Sequence, residues 1–370
     1  MSGELVRVQL PYGRPAWRTT RYADVRAVLA DTRFSRALAV GEDEPRVFAR
    51  VGTQLSILAM DPPEHTALRR VVQHGFTARR AESLRAKAED IAAKLLDEME
   101  RLGPPADLVE DFAVPMAITV LSELLGVPGA DQAEFRRWTD SLLSTAEELP
   151  AEQTAEARVQ LGRYLATLLA QRKACPENDL LSAMVQAGDG QNHLELVKLG
   201  TTLLAAGFET VASEIGSIAH LLLTEPELLR ALLDEPDRIP RAIDELLRFV
   251  PLGAAGGTFA RVAREDVQLG GTLVRAGEAV VADPGAANRD ETVFPDPDTV
   301  DFDRPNAAAH LTFGHGPHHC IGAQLARMEL QVSFTALLSR LPKLRLAVPA
   351  EEIEWKNTVM PRCVSLPVEW

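Results

Sequence analysis

The segment Phe313-Gly-His-Gly-Pro-His-His-Cys320-Ile-Gly-Ala-Gln-Leu-Ala-Arg327 sets one cysteine after a glycine-rich loop and just before an amphipathic helix. Glycines let backbone amides approach a sulfur, a helix N-terminus favours negative charge, and nearby histidines add donors. Those conditions favour a thiolate, and a thiolate bound to a haem iron pushes electron density onto the metal and favours O–O cleavage. Cys320 is therefore read as a haem iron ligand, against the commoner role of a lone cysteine as a small buried side chain. A zinc cluster of His310, His315, His318, His319 and Cys320 is the rival metal site, although the loop holds no second cysteine. No C-x-x-C-H element occurs, so a haem would be held without thioether bonds, as haem b.

A second reactive group lies in Ala205-Ala-Gly-Phe-Glu-Thr-Val211, where a glycine, an acid and a hydroxyl interrupt an apolar helix. Glycine there costs about 1 kcal/mol relative to alanine, and a threonine can back-bond to the carbonyl one turn earlier and bend the helix. A functional account puts a haem and its oxygen against Gly207, with Thr210 donating a hydrogen bond to the iron-bound dioxygen and Glu209 serving a proton relay through water. The alternative is that Gly207 permits close helix packing and Thr210 satisfies its own backbone. His65 and Arg69 stand at i, i+4 in Asp61-Pro-Pro-Glu-His-Thr-Ala-Leu-Arg-Arg70, after two prolines that suit a helix start, so they share one face. They could neutralise haem propionates, or form an exposed basic turn with Glu64.

These residues need a scaffold, and the pattern supplies a mainly helical one. Helices are expected over Tyr22–Ala30, Arg80–Glu100, Pro115–Leu125, Asp131–Ala146, Glu156–Gln171, Asp179–Gln186, Leu194–Leu223, Arg238–Phe249 and Ile321–Leu338. Short strands are expected over Thr258–Val262, Val267–Leu269, Thr272–Val274, Ala279–Ala282, Leu344–Ala347 and Ser365–Glu369, several set off by glycine turns. No repeat or linker divides the chain, which reads as a single domain over 1–370. With 370 residues, 46% hydrophobic and 25% charged, it can bury a large core. A net charge of −14 argues against nucleic-acid and anionic-membrane partners. Three cysteines, Cys175, Cys320 and Cys363, give no disulfide framework and no four-cysteine iron–sulfur cluster. The first residues lack the apolar run of a signal or anchor, and Leu194–Leu223 holds too many ionisable groups for a bilayer span. A soluble, cytoplasmic monomer is expected.

Together these segments resemble the cytochrome P450 family, in particular its soluble bacterial members, over nearly the whole chain. Its cysteine signature, F-G-x-G-x-H/R-x-C-x-G, is met by Phe313, Gly314, Gly316, His318, Cys320 and Gly322. Its E-x-x-R element is Glu245-Leu-Leu-Arg248, and Phe294-Pro-Asp-Pro-Asp298 leads to Arg304, which would complete a structural Glu–Arg–Arg network. The oxygen-activation signature A/G-G-x-D/E-T is met by Ala206, Gly207, Glu209 and Thr210, and His65 and Arg69 match the bacterial H-T-x-L-R propionate motif. Arg261 matches the strand arginine that reaches the other propionate. Val211 and Val300 depart from commoner residues without touching the presumed chemistry.

The resemblance implies a mainly α fold with small β-sheets, a β-rich subregion, and haem between the long central helix and the cysteine-loop helix. It implies a monooxygenase that inserts one atom of dioxygen into an organic substrate by hydroxylation or epoxidation. Electrons would come from a ferredoxin and an NAD(P)H-dependent ferredoxin reductase, since the chain holds no flavin or iron–sulfur elements of its own. Arginines 69, 70, 79, 80 and 327 would dock that ferredoxin. The substrate pocket would be lined by Leu203, Ala206, Phe208, Leu252 and Thr258, and Gly253-Ala-Ala-Gly-Gly257 leaves room for a bulky secondary metabolite such as a polyketide or macrolide. A peroxide-driven haem-thiolate oxygenase and a zinc-thiolate protein are the alternatives.

Overall fold

The computed structural model describes residues 5–47, 57–143, 151–188, 192–250, 252, 259–356 and 362–370. They gather into two compact units, one from residues 5–67 and 240–321, the other from residues 68–239, 322–356 and 362–370.

The first unit is organised by a five-stranded sheet in the order Val6–Val8, Ala16–Thr19, Ala279–Ala282, Arg261–Ala263, Phe34–Ser35. Ala279–Ala282 is buried at every position because both sheet faces are covered, which explains its unbroken apolar sequence. It runs parallel to Ala16–Thr19, with Trp17 opposite Val280, and antiparallel to Arg261–Ala263. Val25, Val28 and Leu29 of the helix Tyr22–Ala30 share a core with Phe34, Val280 and Ala282. A hairpin, Val267–Leu269 with Thr272–Val274, turns through Gly270 and Gly271, both at positive φ.

The second unit is built around the helix His193–Thr224, 32 residues and about 48 Å long at 1.5 Å per residue. Asn192 caps it by accepting a hydrogen bond from the Leu194 amide at 3.0 Å. Helices Val114–Leu125, Ala151–Ala174 and Ala323–Arg340 pack against other parts of this unit, and the central helix is buried over most of its circumference. Such a helix shows little amphipathic pattern.

The expected helices and strands are largely present, with informative differences. Arg80–Glu100 is two helices, Ala78–Ser83 and Arg85–Leu102, because Thr77 caps the first and the Leu84 amide closes it onto Ala81 and Glu82. Asp131–Ala146 is helical over Gln132–Leu143, and its end lies outside the described residues. The strand expected at Thr258–Val262 is Arg261–Ala263, its first residue again outside the described set. The sequence reading missed the strands Val6–Val8, Ala16–Thr19 and Phe34–Ser35 and the helix Pro226–Asp234. Strands this short offer too few alternations to register. Among the described residues no helix is long and apolar enough to cross a membrane.

Candidate active site

The cysteine loop owes its shape to one helix and two glycines. Gly314 and Gly316 both have φ +70°, and a Cβ on Gly316 would sit 2.6 Å from Ala30 Cα and from Leu29 O at the end of Tyr22–Ala30. Only glycine lets the loop close on that backbone; at Gly314 there is space, and the requirement is the dihedral alone. The Cys320 amide donates to Phe313 O at 2.8 Å, which closes the loop and leaves Cys320 exposed, three residues before the helix Ala323–Arg340. Gly322 is that helix's N-cap, at an ordinary φ of −84°.

The loop histidines go to different partners. His310 Nε2 lies 3.3 Å from Asp244 Oδ1, and its ring lies 5.5 Å from that of Phe313. His315 Nε2 accepts from Arg26 Nε at 3.1 Å, and the His318 ring meets the His65 ring with centroids 4.1 Å apart. Among the described residues no group of three or more His, Cys, Asp or Glu side chains could hold a metal ion, so the zinc cluster is not assembled.

His65 and His318 belong to a buried basic cluster. Arg261, on the sheet strand, is 4% exposed, and Arg36, just after Phe34–Ser35, is 8% exposed. Arg36 stacks over the Phe259 ring at 4.3 Å and donates to Leu58 O at 2.6 Å. Burial, then the charge of Arg261, pushes Arg36 down to about 9; burial pushes Arg261 down to about 10. Burial, followed by Arg36, His65 and Arg261, pushes His318 down to about 3. Asp61 is the carboxylate, among the described residues, whose charge opposes these shifts. It is itself engaged by the Ser35 hydroxyl, the Arg36 amide at 2.8 Å and Arg264 at 2.6 Å. Buried positive charge in such excess is costly unless anions join it, and two carboxylates of a haem are anions of that kind. Arg69 follows His65 by one turn of the helix Glu64–Val72 and is half-buried.

The expected Glu–Arg–Arg residues meet in the same unit. Glu245, Arg248 and Arg304 are 0%, 1% and 6% exposed. Arg248 binds Glu245 through two nitrogens at 2.8 Å, and Arg304 Nε reaches both Glu245 oxygens at 3.1 Å. Backbone carbonyls of Asn288, Pro297, Thr299, Pro295 and Asp296 accept from the other guanidinium nitrogens. Asn288 then links this network to the cysteine loop: its side chain accepts from the Leu311 amide at 2.7 Å and donates to Thr312 Oγ1 at 2.9 Å. Sequence reasoning missed Arg36 and Asn288, and nothing in their spacing marks them.

In the other unit, the central helix presents an unusual stripe. Ala206 is exposed and Thr210, one turn on, is partly so, amid neighbours that are mostly buried. Thr210 Oγ1 donates to Ala206 O at 2.8 Å, the back-bond expected of a mid-helix threonine. Gly207 has a packing role: a Cβ there would lie 3.2 Å from Leu121 Cδ2 of Val114–Leu125. Glu209 lies 3.6 Å from Arg362 Nε on the strand Arg362–Cys363, a partner far along the chain that no local pattern signals. Of the pocket residues expected on this helix, Ala206 is accessible, whereas Leu203 and Phe208, 8% and 3% exposed, belong to the core. Leu252 is half-buried, and Thr258 with the glycine-rich segment before it lies outside the described residues. Of the basic residues expected to dock a ferredoxin, Arg70 and Arg79 are exposed, while Arg80 donates to Asn178 O at 2.7 Å.

Comparison with known proteins shows the family. The family model for cytochrome P450 matches residues 108–354. The chain is 51% identical to the mycinamicin IV hydroxylase/epoxidase of Micromonospora griseorubida, over 98% of this chain and 92% of that protein. It is 48% identical to the nocardicin C N-oxygenase of Nocardia uniformis subsp. tsuyamanensis, over 99% of this chain and 92% of that protein. The solved structure of the mixed-function P450 MycG superposes with a TM-score of 0.94 at 49% identity, covering 99% of this chain and 93% of that one.

Proposed function

The chain belongs to the cytochrome P450 family, and from that premise we propose that it oxidises a bulky, largely apolar secondary metabolite of the macrolide or polyketide kind. It is a haem-thiolate monooxygenase, placing one atom of dioxygen in an organic substrate. The bound haem supplies the iron at which dioxygen is activated.

The protein's own residues divide the work. Cys320 provides the thiolate, presented by a loop that Gly314, Gly316 and the Phe313 carbonyl hold closed. His65, Arg69, Arg261 and His318, joined by Arg36, hold the propionates of a haem b. The excess of buried positive charge around Arg36 and Arg261 is the observation that carries this reading. Phe313, Gly314 and Gly322 shape the cysteine loop, and Glu245, Arg248 and Arg304 brace it through Asn288. Thr210 gives its hydrogen to Ala206 O, so its hydroxyl oxygen is left to accept rather than to donate as the sequence suggests, and Glu209 moves protons beside it. That intact acid–alcohol pair favours dioxygen over peroxide as oxidant.

Electrons arrive one at a time from a ferredoxin served by an NAD(P)H-dependent reductase, and Arg70 and Arg79 offer exposed charge for docking it. The substrate class is supported by the relative that hydroxylates and epoxidises mycinamicin IV. Two spectra test the reading. Dithionite-reduced wild type with carbon monoxide should show a strongly red-shifted Soret band that Cys320→Ser loses. Mycinamicin IV should convert the resting haem from low to high spin; binding by only small terpenes and fatty acids would refute the substrate class.

A further inference from the structure

The central helix carries an acid that the roles above leave unused. Glu214 is 4% exposed and stands one turn beyond Thr210, displaced by about 40° around the helix and about 6 Å along it. Helical side chains lean toward the N-terminus, so its carboxyl is carried back over the turn that holds Thr210. Neither of its oxygens has a hydrogen-bond partner among the described residues, and neither has Ser213 Oγ, on the other flank of the Thr210 line. Burial alone displaces the Glu214 titration, up to about 8, with no cation contributing. An isolated buried carboxylate is far costlier than the neutral acid. Three orphaned oxygens on adjacent residues, about one helical turn beyond the Thr210 hydroxyl, offer the polar partners that a buried water needs.

The geometry points to Glu214 as an acid that stores a proton and passes it, through water held by Ser213, to Thr210 on the accessible stripe. This rests on the monooxygenase reading, because that reaction consumes two protons and two electrons per dioxygen and releases one water. The carboxyl gives its proton to the adjacent water, which releases another to oxygen at Thr210; the carboxylate regains a proton from solvent before the next cycle. No electron travels this path. Glu209, at the accessible face beside Arg362, is a separate source.

Infrared spectroscopy of the haem-loaded protein tests it directly. Glu329, among the described residues the other buried acid whose titration is raised, is removed as Glu329→Gln to clear the background. A protonated-glutamate carbonyl band should remain at neutral pH, shift in deuterium oxide, and vanish when Glu214→Gln is added. No such band in the Glu329→Gln protein overturns the proposal. In turnover with ferredoxin, reductase and mycinamicin IV as probe, Glu214→Gln should divert several-fold more electrons to hydrogen peroxide and enlarge the solvent isotope effect. Glu214→Asp should restore most of the coupling, and unchanged coupling in Glu214→Gln overturns the role. The infrared band does not depend on turnover, so a missing thiolate-haem spectrum marks failure of the monooxygenase reading instead.

Discussion

The buried Glu–Arg–Arg residues behind the cysteine loop and the buried pair Ser213 and Glu214 of the central helix are treated in opposite ways. In the loop's unit, Glu245, Arg248 and Arg304 are almost fully buried, and carboxylate and guanidinium groups are answered by one another and by backbone carbonyls. On the central helix, Ser213 and Glu214 are just as buried and have no partners among the described residues. The first arrangement fixes a geometry, since a satisfied buried network has few other ways to pack. The second leaves oxygens open to water and protons. An iron ligand has to stay where it is, and a proton has to move.

The contrast breaks most visibly at Glu245. Glu245→Ala leaves two guanidinium groups buried without their carboxylate, and removing one partner of such a set typically costs 3–5 kcal/mol. A urea melt should show that loss, with haem retention failing alongside. Thr312 and Leu311 hang from the same network through Asn288, so the loop loses its brace as well. A cost under about 1 kcal/mol would mean the network is not rigid in the way the contrast requires.

The two loop glycines sharpen the same point. Gly316→Ala meets both a positive φ and the Ala30 backbone at 2.6 Å, which cannot move without shifting the helix Tyr22–Ala30. A loss of about 2 kcal/mol or more is expected. Gly314→Ala has the same φ and open space, so it should lose about 1 kcal/mol. Equal losses in denaturant melts would show that close packing on the helix contributes nothing.

On the other side of the comparison, Glu214 should give stability a pH dependence. Its folded form keeps a proton up to about 8, whereas the unfolded chain releases it near the ordinary value of 4.5. The folded state therefore binds more protons in that window. Stability from this group is fully present below the lower value and is lost as pH rises through the upper one, by about 1.4 kcal/mol per unit. Glu329 adds a slope of the same sign. Glu214→Gln should flatten the dependence measured by urea melts between about pH 5 and pH 7.5, and an unchanged slope would place its proton elsewhere.

Legibility in the sequence followed the same division. The cysteine and its glycines are readable from residue type at fixed spacing, the Glu–Arg–Arg residues only through the family resemblance, and the strand Ala279–Ala282 because burial on both faces leaves an unbroken apolar run. Arg36, Asn288 and Arg362 were not, since each acts on groups distant in sequence and none departs from what its local segment tolerates. Glu214 lay between: an ionisable residue in an apolar helix is a visible signal, but its lack of a partner is a tertiary fact.

Gly207 is where the two regions yield the smallest expected effect and the finest distinction. Alanine there gains about 1 kcal/mol of helix propensity. Its Cβ would meet Leu121 Cδ2 at 3.2 Å, the end of a side chain that can give by a few tenths of an ångström. The two contributions nearly cancel, and Gly207→Ala should change stability by less than about 1 kcal/mol in a urea melt. Because the glycine packs on Leu121 and the accessible stripe runs through Ala206 and Thr210, coupling of electrons to product should also stay near that of the wild type. A marked loss of coupling at unchanged stability would instead give Gly207 a role on the oxygen side of the helix, as the functional reading of its sequence supposed.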